Sequence, residues 1–249
     1  MVRREAASII ACVGGIDNGV ATCYASRVRL TDPVIDLALR SFGLGLPPEK
    51  IRQVADYIEL LTRWSQAVNL TAIREPTEVL QRHFGESMCL GQMTELRGSL
   101  LDVGTGAGFP GLAVKILCPD LRVTLLEPAV RKRTFLKEVV RTCELEKVII
   151  SGERAESFCN ETSDLFDFVT LRAVGSFDTI LPSLPRCLAS DGRVCLWLTG
   201  KDALALTRQN SIFTGLFDWD APIRVPLSRD REIWCGKARA GASHVSRET

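Results

Sequence analysis

The sequence predicts an α/β protein in which a mostly parallel sheet with an antiparallel edge strand follows an N-terminal helical appendage. Three observations predict it. After about residue 98, short β-rich runs alternate with helical stretches, the pattern of a parallel sheet with crossover helices. Before it, Ile51, Val54, Ile58, Leu61 and Val68 recur at three- and four-residue steps, forming one face of an amphipathic helix over 47–70. Near the start of the second regime, a glycine-rich loop runs from Asp102 to Gly111, directly after the first β-rich run.

Taken in order, residues 1–30 are rich in small residues, with Arg3, Arg4, Arg27 and Arg29 at the edges. Gly14, Gly15, Asp17 and Asn18 interrupt any apolar stretch that a signal peptide would need. The segment reads as a disordered extension, with an organelle transit peptide as the alternative. Residues 31–97 form the helical appendage, where Pro76 suits the first turn of a further helix over 76–92 because its missing N–H would be unpaired there anyway. In residues 98–238 the strands are expected at 100–104, 122–127, 148–152, 166–172 and 193–199, with helices at 110–118, 130–144 and 177–188. Two more strands, near 223–227 and 232–237, suit an antiparallel hairpin at one edge, and 239–249 is a tail.

Composition narrows the functional classes. The chain has 249 residues, 46% of them hydrophobic, enough for one α/β domain with an appendage. Lys and Arg number 31 against 30 Asp and Glu, so a net charge of +1 supplies no global field for nucleic acid, and basic residues that meet RNA must be locally clustered. Nine cysteines, none spaced C-x-x-C, read as buried thiols in a reducing compartment. His83 and His244 are the only histidines, so no metal site is expected. No apolar run reaches the roughly 18 residues of a membrane-spanning helix, and a cytoplasmic monomer is expected.

The loop Asp102-Val103-Gly104-Thr105-Gly106-Ala107-Gly108-Phe109-Pro110-Gly111 admits two ligands. Gly106, Gly108 and Gly111 satisfy G-x-G-x-x-G, a fingerprint that alone is weak evidence for a dinucleotide. A dinucleotide brings a pyrophosphate, an anion, to the helix N-terminus. S-adenosylmethionine has no phosphate, but it carries an amino group that benefits from a nearby carboxylate. Asp102, two positions before the first glycine, fits the second ligand better. Glu127, about twenty residues on, suits the hydroxyls of a ribose in either reading. Arg154-Ala155-Glu156 can meet an adenine edge, although Glu156 equally suits a solvated loop. The run Asp167 to Arg172 brings its end to the carboxyl edge of the sheet, where open α/β sheets bind ligands.

Further motifs point the same way: Trp64 with Asn69-Leu70-Thr71-Ala72-Ile73-Arg74, Arg82-His83-Phe84 with Ser87, Arg131-Lys132-Arg133-Thr134-Phe135-Leu136, Ser151 to Glu156, and Leu171-Arg172-Ala173. With the 102–111 loop, and above all its Phe109-Pro110-Gly111, they make the sequence resemble the ribosomal small-subunit methyltransferase G family over about residues 35–205. The resemblance implies a Rossmann-like class I methyltransferase sheet. It also implies methyl transfer from S-adenosylmethionine to N7 of a guanine in the decoding-region loop of 16S ribosomal RNA, with that RNA or the small ribosomal subunit as partner. Cofactor contacts would then fall at Gly104, Phe109, Ala155, Glu156 and Arg172, beside the Asp102, Gly106 and Glu127 of the loop argument. This chain departs from the family in having Thr199-Gly200, with Lys201 beyond, where a lysine and a glycine are usual, and Glu86 where an aspartate precedes Ser87.

Guanine N7 carries a lone pair and no proton, so the chemistry needs no general base. Arg172 is the candidate for positioning. Arg131, Lys132 and Arg133 are the candidate phosphate surface, with Arg82 and His83 as further RNA contacts. Each has a plainer alternative: a solvated helix face for the basic run, and for His83 a hydrogen-bonded position between the appendage and the main domain. Two rival functions share the loop or the partner, an NAD-dependent oxidoreductase and a non-catalytic RNA-binding module.

Overall fold

The computed structural model describes residues 30–175, 177–209 and 211–240; the expectations for residues 1–29 and 241–249 lie outside them. The appendage begins with α1 (Asp32–Arg40) and α2 (Pro48–Trp64), each with a proline in its first turn. Helix α2 buries Ile51, Val54, Tyr57, Ile58 and Leu61 along the stripe that the spacing predicts. It stops at Trp64, short of residue 70, and the chain turns through Ala67 N to Trp64 O and Leu70 N to Val68 O.

Residues 76–93 follow as a broken helical run, with α3 (Pro76–Val79), a π-helical turn (Leu80–Gly85), α4 (Glu86–Met88) and α5 (Leu90–Met93). Gly85 is needed inside it. A Cβ there would lie 2.5 Å from the Phe42 ring.

The second part comprises β1 (Ser99–Val103), α6 (Gly111–Leu117), β2 (Arg122–Leu126), α7 (Val130–Thr142), β3 (Val148–Ser151), α8 (Ala155–Glu161), β4 (Phe166–Arg172) and α9 (Phe177–Ile180). A 3-10 turn (Leu181–Arg186) leads into β5 (Leu188–Thr199), α10 (Gly200–Gln209), α11 (Ser211–Leu216), β6 (Phe217–Trp219), β7 (Ile223–Arg224) and β8 (Arg231–Ala238). The sheet order is β3-β2-β1-β4-β5-β8-β6, with β7 also on β8. β1 to β5 are mutually parallel, and β8 runs antiparallel to β5, β6 and β7.

Two further expectations change. The helix expected at 177–188 tightens to 3-10 geometry after Ile180, because prolines 182 and 185 remove the donors that α-helical bonds require. The expected hairpin forms as β7 and β8, but β8 is not an edge: β5 pairs along one side of it, and β6 and β7 follow each other along the other. At three residues, β6 is too short to show a period. The sequence predicts no helix at the positions of α8, α10 and α11.

Alternation along the strands separates two cores. Leu100, Val123, Leu125, Phe168, Cys195 and Trp197 face the appendage and join one cluster with Ile35, Tyr57, Phe84 and Met88. Leu101, Val103, Leu126, Val169, Leu171, Val194 and Leu196 face the other way, toward α8 and the 3-10 turn. The appendage and one sheet face therefore share a single core. Burying a leucine or valine of this kind contributes roughly 1.5–3 kcal/mol.

Candidate functional site

The strand order reverses between β1 and β4, where an open α/β sheet offers a crevice at its carboxyl edge. The glycine loop spans that point. Gly104, Gly106 and Gly108 have φ of +65°, +58° and +91°, backbone that side-chain-bearing residues avoid. At Gly108 a Cβ would also collide with the Tyr57 hydroxyl, whereas at Gly106 the nearest atom stands 3.9 Å away and the space is open. Gly106 therefore needs its glycine for φ rather than for want of room in the protein.

Asp102 is wholly buried, and both of its oxygens serve the loop. Oδ2 accepts hydrogen bonds from Thr105 Oγ1 at 2.5 Å and Gly111 N at 2.9 Å, and Oδ1 accepts from Thr170 Oγ1 at 2.8 Å. Burial raises its carboxyl to about 6 against these three stabilising bonds. These bonds tie β1 to β4 and to the start of α6. Thr170 went unforeseen, yet it is paired in register with Asp102 on the neighbouring strand.

Glu127 closes the loop from the other side. Its Oε2 accepts from Gly106 N at 3.0 Å and its Oε1 from Ala129 N at 2.9 Å. A carboxylate has about four lone-pair sites, so each oxygen retains capacity for a further donor.

Beside the loop lies a crevice of about 330 Å³. Its walls include Gly104, Pro128, Glu153, Ala155, Glu156 and Val174. Of the expected ligand contacts, the structure brings Gly104, Ala155 and Glu156 together here, and Glu127 falls between two wall residues, Leu126 and Pro128, without lining the crevice itself. Ala155 is buried at the start of α8, and Glu156 is half-buried next to it. Glu153, which sequence reasoning passed over, adds a second carboxylate to the wall.

Phe109 points away from the crevice. Its ring is 7% exposed and sits between Tyr57, stacked at 5.2 Å, and His83, stacked at 4.7 Å, with Phe84 edge-on at 5.1 Å. Tyr57 also donates its hydroxyl hydrogen to Ala107 O. Phe109 thus plugs the loop into the appendage core. His83 Nε2 lies 2.8 Å from Thr71 Oγ1, while its buried Nδ1 has no hydrogen-bond partner among the described residues. Burial, and then the positive charges of Arg172, Arg82 and Arg231, lower its pKa to about 3. A ring kept neutral in this way is a poor phosphate ligand; it is hydrogen-bonded within the appendage and stacked on Phe109 of the sheet-bearing part. Arg82 is exposed and pairs with Glu78 one helical turn away, at 2.7 Å.

Arg172 also departs from its expected place over the crevice. Strand alternation puts it on the appendage face with Phe168 and Thr170, and its guanidinium reaches Glu86 Oε2 at 2.8 Å, Ser87 Oγ at 2.9 Å and the Arg82 carbonyl. Glu86 is also paired with Arg231 at 3.0 Å, and the Glu86 carbonyl accepts from Trp197 Nε1 at 2.9 Å. Burial lowers the Arg172 pKa to about 10, opposed by Glu86, and the ion remains charged at neutral pH.

The basic run does not form one face. Arg131 is exposed. Lys132 Nζ lies 3.9 Å from Glu127. Arg133 turns inward and donates to the carbonyls of Glu127 at 2.9 Å and Pro128 at 2.5 Å, lying over Gly152, where a Cβ would touch its guanidinium. Arg131 and Lys132 border a second concavity of about 470 Å³, whose opposite wall is residues 66–69, including Asn69. It is larger than the crevice, but no residue of the glycine loop contributes to its walls. Among the described residues no group of three or more His, Cys, Asp or Glu could hold a metal ion, and no helix is long and apolar enough to cross a membrane.

The sheet order, its antiparallel last strands and the glycine loop define a class I methyltransferase fold. The ribosomal protein L11 methylase of Lactobacillus delbrueckii subsp. bulgaricus shares this fold with a TM-score of 0.52 at 16% identity, covering 64% of this chain and 79% of that one. The glycopeptide N-methyltransferase MtfA complexed with sinefungin shares it with a TM-score of 0.53 at 11% identity, covering 64% and 87%. A family model for rRNA small subunit methyltransferase G matches residues 50–213, and the chain belongs to that family. Proteins named ribosomal RNA small subunit methyltransferase G from Lactococcus lactis subsp. lactis and Roseiflexus sp. are 38% and 39% identical to it over 148 and 152 residues. These matches cover 57% and 59% of this chain and 62% and 65% of the two relatives, so the matched part spans less than two thirds of their length.

Proposed function

We propose that the chain is an S-adenosylmethionine-dependent methyltransferase that modifies N7 of a guanine in the decoding-region loop of small-subunit ribosomal RNA. The observation that carries the choice of cofactor is what holds the loop amides. Gly111 N–H, at the start of α6, is already bonded to Asp102, and Gly106 N–H is bonded to Glu127. A pyrophosphate would need those donors and would meet two carboxylates instead. A cationic sulfonium compound without phosphate suits the same surroundings.

The residues fit that ligand. The crevice volume of about 330 Å³ falls within the roughly 300–1,000 Å³ of small-molecule sites, and the open space over Gly106 lets a ligand approach the backbone. Gly104 and Gly106 would line the amino-acid part, Glu127 would accept the ribose hydroxyls, and Ala155 with Glu156 would face the adenine. Asp102 and Phe109 shape the loop from beneath, and Arg172 fastens the appendage that carries the RNA-facing residues. When bound, S-adenosylmethionine supplies an electrophilic methyl group. The protein has to align guanine N7 with it, and such orientation is worth roughly 7 to 11 kcal/mol of barrier.

Residues 98–238 act in this reading as the methyltransferase unit and 31–97 as the substrate-facing appendage. The groove between Asn69 and Arg131-Lys132 opens on the flank of Glu127 and suits an RNA backbone. The protein would meet this RNA in the cytoplasm, where small subunits are assembled.

Calorimetry with S-adenosylmethionine and NAD in parallel tests the cofactor; preferential NAD binding overturns the reading. Methyl transfer to naked 16S RNA and to assembled small subunits, with the product guanine mapped, tests the substrate. Transfer to neither overturns it.

A further inference from the structure

Cys195 and Cys235 face each other in register across the antiparallel β5–β8 ladder, with their sulfur atoms 3.0 Å apart. Directly opposed residues on antiparallel strands have Cα atoms about 4.5 to 5.5 Å apart, within the roughly 4.4 to 6.8 Å that a disulfide spans. The two thiols differ in access. Cys195 is wholly buried, whereas Cys235 is half-buried and lines a concavity of about 140 Å³ with Thr94, Arg193 and Asp220. A water molecule takes about 30 Å³ of liquid, so the concavity has room for a molecule the size of hydrogen peroxide beside Cys235.

We propose that Cys235 is a peroxide-reactive thiol and Cys195 its resolving partner, so that hydrogen peroxide converts the pair into a cross-strand disulfide. In the first step the Cys235 thiolate attacks one peroxide oxygen. The S–O bond forms, the O–O bond breaks, and the departing hydroxide takes a proton to become water. In the second step the Cys195 sulfur attacks the sulfenic sulfur of Cys235, forming the S–S bond. The S–O bond breaks and hydroxide leaves with the Cys195 proton as a second water. Two electrons pass from the two sulfurs to the peroxide.

The surroundings favour this order of events. The hydrogen bond with Cys195, and then the Arg193 guanidinium, draw the Cys235 thiol below its ordinary range, while the same hydrogen bond and burial raise that of Cys195. A second pair supplies an internal control. Cys159 and Cys187 have sulfurs 2.6 Å apart, but they are 2% and 0% exposed, so an oxidant has no route to them in the folded chain.

The test is graded hydrogen peroxide on the full chain, followed by alkylation and site-resolved peptide mapping. The Cys195–Cys235 cross-link should form at a lower peroxide dose than any link between Cys159 and Cys187. Cys195→Ser should leave a sulfenic acid on Cys235 that a dione reagent captures, and Cys235→Ser should abolish both that adduct and the cross-link. The proposal is overturned if the wild-type chain forms no Cys195–Cys235 link, or if the buried pair reacts first. It also fails if Cys195 is oxidised as readily in Cys235→Ser as in the wild type. The wild-type mapping decides even where a variant does not fold, and it is independent of the cofactor and RNA readings.

Discussion

Arg172, the last residue of β4, and Glu86, in the appendage, form an ion pair at 2.8 Å with side chains only 8% and 5% exposed. Arg231 of β8 binds the same carboxylate at 3.0 Å. One acid thus joins the appendage to two strands of the sheet, and Trp197 holds its backbone carbonyl from a third.

Glu86→Ala would leave two arginines without their carboxylate, and breaking a buried pair in this way costs about 3 to 5 kcal/mol. Denaturant unfolding should show a loss of that order. A loss below about 1 kcal/mol would mean that water or another acid takes over.

Asp102→Asn and Asp102→Ala should differ sharply. An asparagine can keep its oxygen toward Gly111 N and Thr105 while its amide donates to Thr170, so folding and S-adenosylmethionine affinity should stay near wild type. Alanine leaves those donors unpaired at about 1 to 3 kcal/mol each and should weaken both. Calorimetry distinguishes this from direct contact, because a salt link from Asp102 to the cofactor would be lost in both variants.

Glu127→Ala should weaken S-adenosylmethionine binding by roughly 1 to 3 kcal/mol, through lost charge-assisted hydrogen bonds and through release of Gly106 N–H. An unchanged dissociation constant would put the ribose elsewhere.

Within the basic run, single substitutions should have separate effects. Arg131→Ala should lower RNA affinity and reduce the slope of log affinity against log salt by about one ion, with cofactor binding intact. Arg133→Ala removes two bonds to the carbonyls after β2 and should weaken cofactor binding and stability instead. Equal effects of the two on RNA, measured across a salt series, would contradict this division.

His83 makes stability depend on pH. Its folded pKa of about 3 lies below the unfolded value of about 6.5, so in that interval the unfolded chain binds a proton that the folded ring refuses. The stabilisation is complete above about pH 6.5 and is lost as pH falls toward 3, with a slope of at most about 1.4 kcal/mol per unit. Asp102, raised to about 6, works in the opposite sense at mildly acid pH, so the readout is the difference between wild type and His83→Phe. Parallel stability curves for the two proteins would refute the prediction.

Local pattern and chemistry made several features legible in the sequence. The five parallel strands, the stripe of α2 and the glycine loop follow from periodicity and from turn chemistry, which short segments carry by themselves. So does the place of a carboxylate, Glu127, just after β2 and about twenty residues beyond that loop, although its bond to Gly106 N–H came from the tertiary structure. Tertiary structure decided the direction of individual side chains. Period-two alternation separates Leu171 from Arg172, but only the docking of the appendage says which face becomes the interior, and Arg172 lies on that face. Phe109 is carried inward by Tyr57 and His83, residues 52 and 26 positions earlier in the chain, and Asp102 finds Thr170 across a strand register that no local window contains. Such contacts join segments far apart in sequence, and their partners are chosen by packing and by the need to satisfy buried polar groups.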